Sequence, residues 1–275
     1  MACRIATTRT TRLARTLGVA LVGALIVFAA ARAQTPPPAP AATGSPVSKT
    51  CQPGVPATAD GSPLPNVAVA LAQRKTLRIL AMGAAPGRVS TRGGYTAVIE
   101  AMLSHALEGF GVVMINRGVS GELAASAAAR MKNDVALEEP DLVLWQVGTN
   151  DALANVPTDE FTATVKDQIN WLKAHKVDVV LVGLQFANQM LKDAHYIEIR
   201  ETLRKLAAQE NVVVIRFFEA MQIINSQASP AGTGPAADEF ERNEAGYNCL
   251  AQYVARAITL GVFAKNIPPH LQPRR

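Results

Sequence analysis

The chain has 275 residues, of which 49% are hydrophobic and 18% charged, and its formal net charge is +5. Residues 1–33 contain five arginines and no acidic side chain, so of the 27 Lys and Arg residues 22 remain beyond them, against 22 acidic residues. A balanced chain lacks the basic surface that nucleic-acid binding requires, and we expect no nucleic-acid partner.

Residues 1–33 have the pattern of a secretory signal peptide. Four arginines precede the apolar run Leu17–Ala31, which ends at the small-residue sequence Ala31-Arg32-Ala33. The run is shorter than the ~20 apolar residues of a membrane-spanning helix, so we expect no transmembrane span after cleavage. The sequence therefore predicts export to the periplasm or the extracellular space, with an uncleaved membrane anchor as the alternative.

The segment 34–65 is rich in Pro, Ala, Ser, Thr and Gly, and its few large apolar side chains predict a linker arm rather than a core. Residues 66–265 have the length and pattern of one domain, and residues 266–275 form a tail. Beyond the signal peptide two cysteines remain, Cys51 in the arm and Cys249 in the last helix. In an oxidising compartment they can form a disulfide, and two unpaired thiols are the alternative.

From residue 77 onward, short apolar runs rich in β-branched residues alternate with longer segments of helical period. The predicted strands are 77–82, 112–116, 141–147, 177–184 and 212–218. The predicted helices are 95–107, 122–137, 157–176, 196–208 and a last one from about 243. This alternation predicts an α/β fold: a three-layer α/β/α sandwich around a doubly wound parallel sheet of about five strands.

Ligands of such sheets bind beyond the carboxyl ends of the strands. The loops at that edge are Met-Gly-Ala-Ala-Pro-Gly after the first strand, Arg-Gly-Val-Ser-Gly-Glu after the second, and Gly-Thr-Asn-Asp after the third. The loop after the fourth strand reads Gln-Phe-Ala-Asn-Gln-Met. We therefore look for chemically active side chains in these four loops.

Three of these loops resemble those of the SGNH (GDSL) hydrolase family of esterases and lipases, over about residues 77–262. The resemblance rests on the small-residue loop after the first strand, on Asn-x-x-x-Ser-Gly at 116–121, and on Gly-Thr-Asn-Asp at 148–151. It is strongest to exported members whose first block reads Gly-Ser-Ser. The resemblance implies a flavodoxin-like SGNH hydrolase fold and a family activity of ester hydrolysis.

The resemblance also implies a role for individual positions. The nucleophilic serine of the family corresponds to Ala85, and its catalytic histidine corresponds to Glu241. The aspartate that precedes the histidine is present as Asp238. Gly121, through its backbone N–H, and Asn150, through its side-chain amide, match the two donors of the oxyanion hole.

An alanine methyl cannot attack a carbonyl, and a glutamate is not the imidazole that activates a serine. The favoured interpretation is a non-hydrolytic protein that binds an acylated small molecule or a glycan at a retained oxyanion site. Two alternatives stay open. One is an active ester hydrolase or deacetylase in which Glu241 activates water or another nucleophile acts. The other is an envelope protein that uses this face to bind a partner.

Purely structural roles also fit some of these residues. Asn150 can simply satisfy N–H and C=O groups of the loops, and Asp151 and Asp238 can be helix-start or turn residues. The sequence has no cluster of His and Cys with metal-ligand spacing and no phosphate-binding glycine loop. We therefore expect neither a metal nor a cofactor.

Overall fold

The structure is a computed structural model that describes residue 51 and residues 62–83, 94–186, 188–228 and 244–262. The segments predicted as a signal peptide (1–33) and a tail (266–275) lie outside these described residues. Within the described ranges, no helix combines the length and the apolar character that crossing a membrane requires.

Parallel strands and helices alternate along the described chain. The strands are β1 (Thr76–Gly83), β2 (Gly111–Asn116), β3 (Leu142–Gln146), β4 (Asp178–Val182) and β5 (Val213–Ile215). The helices are α1 (Pro65–Arg74), α2 (Gly94–Ala106), α3 (Ala124–Glu138), α4 (Thr149–Leu153), α5 (Thr158–Ala174), α6 (Ala194–Gln209), α7 (Phe217–Ala228) and α8 (Glu244–Val262). A short 3₁₀ helix, Asn188–Lys192, precedes α6.

The strands form one sheet in the order β2-β1-β3-β4-β5, and every pair is parallel. The predicted α/β class with a five-stranded parallel sheet is confirmed. From β1 the chain passes first to β2 on one side and then to β3 on the other. The strand order therefore reverses between β1 and β3, where ligands of open α/β sheets bind.

The central strands are buried along their whole length. Every residue of β3 and of β4 is buried, as expected for parallel strands covered by helices on both faces. One group of helices, α1, α2 and α8, packs together, and a second group consists of α3, α5 and α6. Continuous apolar sequence is thus the physical reason why these strands lie at the centre of the sheet.

One predicted strand needs correction, and three helices were not predicted. The fifth strand ends at Ile215 and not at residue 218, because Phe217 already begins α7. An unbroken apolar run gives no period by which strand and helix can be told apart, and in α7 the buried residues Phe217, Ala220 and Met221 follow helical spacing. Helices α1, α4 and α7 were not predicted from the sequence.

The start of α1 is held by a carboxylate from β4. Asp178 accepts hydrogen bonds from the backbone N–H groups of Asn66 and Val67, both at 2.9 Å, and from the Asn66 side chain at 2.8 Å. The residue before the helix, Leu64, provides no side-chain cap, so Asp178 takes that part from across the fold. Burial raises the pKa of Asp178 to about 6 despite these donors.

A disulfide attaches the arm to the last helix. Cys51 is bonded to Cys249, both side chains are buried, and the Tyr253 hydroxyl donates to the Cys51 carbonyl oxygen at 2.5 Å. Closer to α1, the N–H of Leu64 donates to the carbonyl oxygen of Gly261 at 3.2 Å. The described residues of the predicted arm are therefore packed against α8.

Asp178→Asn should change how stability depends on pH. The folded-state pKa is raised from 3.8 to about 6, so the native state binds more protons than the unfolded state between these values. The stabilisation is complete below pH ~4 and is lost as the pH rises through 6, by up to about 3 kcal/mol. In the asparagine variant, the free energy of unfolding obtained from urea denaturation should not show this decline between pH 4 and 7. If the free energy of unfolding depends on pH in the same way in both proteins, Asp178 is not the source of the decline.

Removal of the disulfide by Cys51→Ser with Cys249→Ser should destabilise the protein. The bond closes a loop with a sequence separation of 198. Such a loop contributes at most about 5 kcal/mol in the chain-entropy model. Urea denaturation under non-reducing conditions measures the difference, with the reduced and alkylated wild type as the control. A double variant as stable as the oxidised protein would refute the contribution.

Candidate functional site

The loop after β2 lies against the end of β1. The N–H of Arg117 donates to the Ala81 carbonyl at 2.9 Å, and the N–H of Val119 donates to the Gly83 carbonyl at 3.0 Å. The loop opens with a local turn in which the Asn116 side chain accepts from the N–H of Gly118 at 2.9 Å. We call residues 117–122 the β2 loop.

Gly121 adopts a left-handed conformation within the β2 loop, with φ of +79°. It is exposed, and its N–H donates to no acceptor among the hydrogen bonds of the described residues. Within the described part of the chain, no residue therefore competes with a ligand for this backbone donor.

The side chain of Asn150 reaches the same loop from the start of α4. Its Nδ2 donates to the Glu122 carbonyl oxygen at 3.0 Å. An amide nitrogen carries two hydrogens, so this bond fixes the orientation of the group and leaves a second donor for a ligand. The structure thus brings Asn150 next to Gly121, which precedes Glu122 in the chain.

Asp151 has a structural role and is not one of the groups that could donate to a ligand. Its side chain is buried, and Oδ1 accepts from the N–H of Ala124 at 2.9 Å, which caps the first turn of α3. Burial raises the pKa of Asp151 above the ordinary aspartate value. The helix-start interpretation of this residue agrees with the contact, although the helix it caps is α3 and not its own.

Thr149 connects the start of α4 to the loop after β4. Its hydroxyl oxygen accepts from the N–H of Gln185 at 3.0 Å, and the Gln185 carbonyl accepts from the Tyr196 hydroxyl at 2.6 Å. Tyr196 lies in α6 and is buried. The start of α4, which carries Asn150, is thus bonded both to the β2 loop and to the loop after β4.

The loop after β1 leaves the sheet at a position that admits no side chain. Gly83 has φ of +85°, and a Cβ built on it would lie 1.9 Å from the Gln146 carbonyl oxygen and 2.9 Å from Trp145 Cδ1. Ala85 follows two residues later but lies outside the described residues, as do Asp238 and Glu241. Their distances from Asn150 and Gly121 therefore remain predictions.

The sequence did not predict that Arg130 contributes to this region. Its guanidinium binds the Glu122 carboxylate through Nε at 2.6 Å and Nη2 at 2.8 Å. The available signal was an acidic residue at the start of a predicted helix, 122–137, and an arginine two turns into it. Among the described residues, no group of three or more His, Cys, Asp or Glu side chains could hold a metal ion.

Comparison with known proteins identifies relatives with the same architecture. A model of the non-GDSL lipase-like family matches residues 50–264. The esterase TesA of Pseudomonas aeruginosa is 27% identical over 150 residues, which is 54% of this chain and 73% of that protein. An arylesterase of Vibrio mimicus is 28% identical over 122 residues, 43% of this chain and 58% of that protein.

A solved structure shows the same fold. Axe2, an acetylxylan esterase from Geobacillus stearothermophilus, superimposes with a TM-score of 0.54 at 19% identity. The superposition covers 66% of this chain and 94% of Axe2. About two thirds of this chain therefore shares its fold with a solved esterase structure.

Two glycine variants should separate backbone strain from steric conflict. Gly83 and Gly121 have nearly equal φ values, but a Cβ on Gly121 would meet no atom within 4 Å. Gly121→Ala should therefore cost only the left-handed backbone penalty, about 1–2 kcal/mol. Gly83→Ala adds a clash with backbone and should cost roughly 3 kcal/mol or more. Chemical denaturation measures both, and equal losses would contradict the close packing of β1 against β3.

Proposed function

Because the chain belongs to the non-GDSL lipase-like family, we propose that this esterase-family protein binds an acyl-bearing ligand at its oxyanion site without hydrolysing it. The observation that carries the proposal is Ala85 at the nucleophile position, in a chain whose Asn150 amide is held against the β2 loop. The donors that would stabilise negative charge persist while the group that would create it is missing.

The chemistry of the substitutions supports loss of turnover. Acyl transfer by this family requires a hydroxyl that attacks and an imidazole that takes its proton, and this chain has alanine and glutamate at those positions. In a serine protease with comparable machinery, loss of the serine or the histidine lowers turnover about 10⁶-fold. About 10³- to 10⁴-fold acceleration over water then remains, from the oxyanion hole and from binding.

The free donors indicate which chemical group is bound. The N–H of Gly121 and the second amide hydrogen of Asn150 are both donors, so their complement is an oxygen with two lone pairs. A carbonyl or carboxylate oxygen of an acylated small molecule or of an acylated glycan satisfies both. The esterase names of the relatives support the same ligand class for this chain.

We further propose that the protein acts outside the cytoplasm. The arginine-rich start followed by an apolar run and Ala31-Arg32-Ala33 supports export. The disulfide between Cys51 and Cys249 supports an oxidising compartment.

Restoring the two missing groups tests the proposal. Purified wild type should hydrolyse 4-nitrophenyl acetate no faster than the roughly 10³- to 10⁴-fold acceleration over water that binding and an oxyanion hole supply by themselves. Ala85→Ser combined with Glu241→His should gain on the order of 10²-fold or more, since part of the 10⁶-fold loss is then recovered. Stopped assays of nitrophenol release measure both rates.

The control adds Asn150→Ala to the restored double variant, which should cost about 10²- to 10³-fold in kcat if the amide is an oxyanion donor. Labelling of the wild type by a fluorophosphonate, or wild-type turnover equal to that of the restored variant, would show an active hydrolase. A folded restored variant without activity would show that the oxyanion site is not retained.

A further inference from the structure

Arg130, in the middle of α3, uses every donor of its guanidinium. Nε and one hydrogen of Nη2 bind the two carboxylate oxygens of Glu122, and Nη2 also donates to the Arg117 carbonyl. Nη1 donates to Asp134 at 2.6 Å and contacts the Met82 sulfur at 3.7 Å. A guanidinium has five N–H donors in a fixed planar fork, so all five are occupied.

Two of these partners are the two ends of the β2 loop. Arg117 is its first residue and Glu122 its last, and Gly121 lies between them. Since one rigid guanidinium binds both ends, the separation of the ends is fixed. The left-handed residue Gly121 is thereby kept in a short, closed segment.

Glu122 also links Arg130 to Asn150, the second proposed oxyanion donor. Its carboxylate is bound by Arg130, while its carbonyl oxygen accepts the Asn150 amide at 3.0 Å. The Glu122 side chain is only 4% exposed, so its charge is compensated by Arg130 and not by solvent. Movement of Glu122 would therefore displace both the N–H of Gly121 and the acceptor that orients Asn150.

We propose that Arg130 is the positioning residue of the oxyanion site: it closes the β2 loop and thereby aligns the donors of Gly121 and Asn150. This inference rests on the proposed function, because it assigns those donors to a ligand oxygen. Arg130 itself contacts no ligand. Misplacement of a donor by about 1 Å can lower a rate by 10²-fold. A residue that fixes the β2 loop without contacting the ligand can therefore still control the rate.

Lysine is the informative replacement. Arg130→Lys keeps the positive charge near Glu122, but an ammonium has three donors and no planar fork, so it cannot bind both ends of the loop in the same geometry. The matched control is Arg78→Lys. Arg78 also binds α3, through the Glu138 carbonyl at 2.9 Å, and its side chain makes no direct described contact with the β2 loop, although the Glu138 carboxylate also binds Arg117.

The first measurement introduces each substitution into the otherwise wild-type chain and requires no ligand. In ¹H–¹⁵N spectra, Arg130→Lys should speed hydrogen exchange of the Val119 and Glu122 amides by about 10-fold or more, because their bonds to Gly83 and Val119 open more often. It should also shift the side-chain amide resonances of Asn150. Arg78→Lys should leave these signals unchanged. If the signals of a folded Arg130→Lys protein match the wild type, the proposal is wrong.

The second measurement uses the restored variant Ala85→Ser with Glu241→His. Adding Arg130→Lys should lower kcat for 4-nitrophenyl acetate by about 10- to 100-fold with KM nearly unchanged, because alignment matters most in the transition state. Adding Arg78→Lys should leave kcat unchanged.

The two measurements separate the two ideas. A loosened loop with an unchanged kcat would overturn the positioning role while leaving the oxyanion site intact. A restored variant without activity would overturn the proposed function, and the spectra would still decide whether Arg130 holds the loop. Thermal unfolding establishes in advance that each variant is folded at the assay temperature.

Discussion

The close approach of β1 and β3 at their carboxyl ends is the constraint on which the site depends. Gly83 lies so near the Gln146 carbonyl that a Cβ would come within 1.9 Å of it. The carbonyl of the same glycine receives the N–H of Val119, so the β2 loop takes its position from the end of β1. Asn150, at the start of α4 just after β3, then reaches the β2 loop from the other side of β1. Three segments that are distant in sequence are thus held together: the end of β1, the β2 loop and the start of α4.

Polar groups hold this edge of the sheet together by bonding between elements more than within them. Asp151 caps α3, Thr149 binds the loop after β4, and Glu122 accepts from Asn150. At the opposite edge, Asp178 caps α1 in the same cross-fold manner. The buried acceptors Asp151, Thr149 and Asp178 are costly to leave unpaired, so their bonds also specify the positions of the segments that they join. The proposed binding site consists of backbone and amide donors, which have no freedom to adjust, so it needs this rigidity.

The sequence predicted the sheet well because buried parallel strands are continuous apolar runs separated by helical periods. The same logic failed where the period was hidden: the run at 212–218 contains both β5 and the start of α7. The proximity of Asn150 and the β2 loop was expected from the strand ends. The contact between Glu122 and Arg130 was not, because eight residues within one helix lie too far apart to touch. It forms only because Glu122 precedes α3 and turns back along it.

The bridge between Cys51 and Cys249 joins an early residue to a late one, 198 positions apart. During synthesis the first thiol is made long before its partner, so the bond can form only when α8 has been added. A chain cut short before α8 would keep an unprotected sulfhydryl on its N-terminal arm.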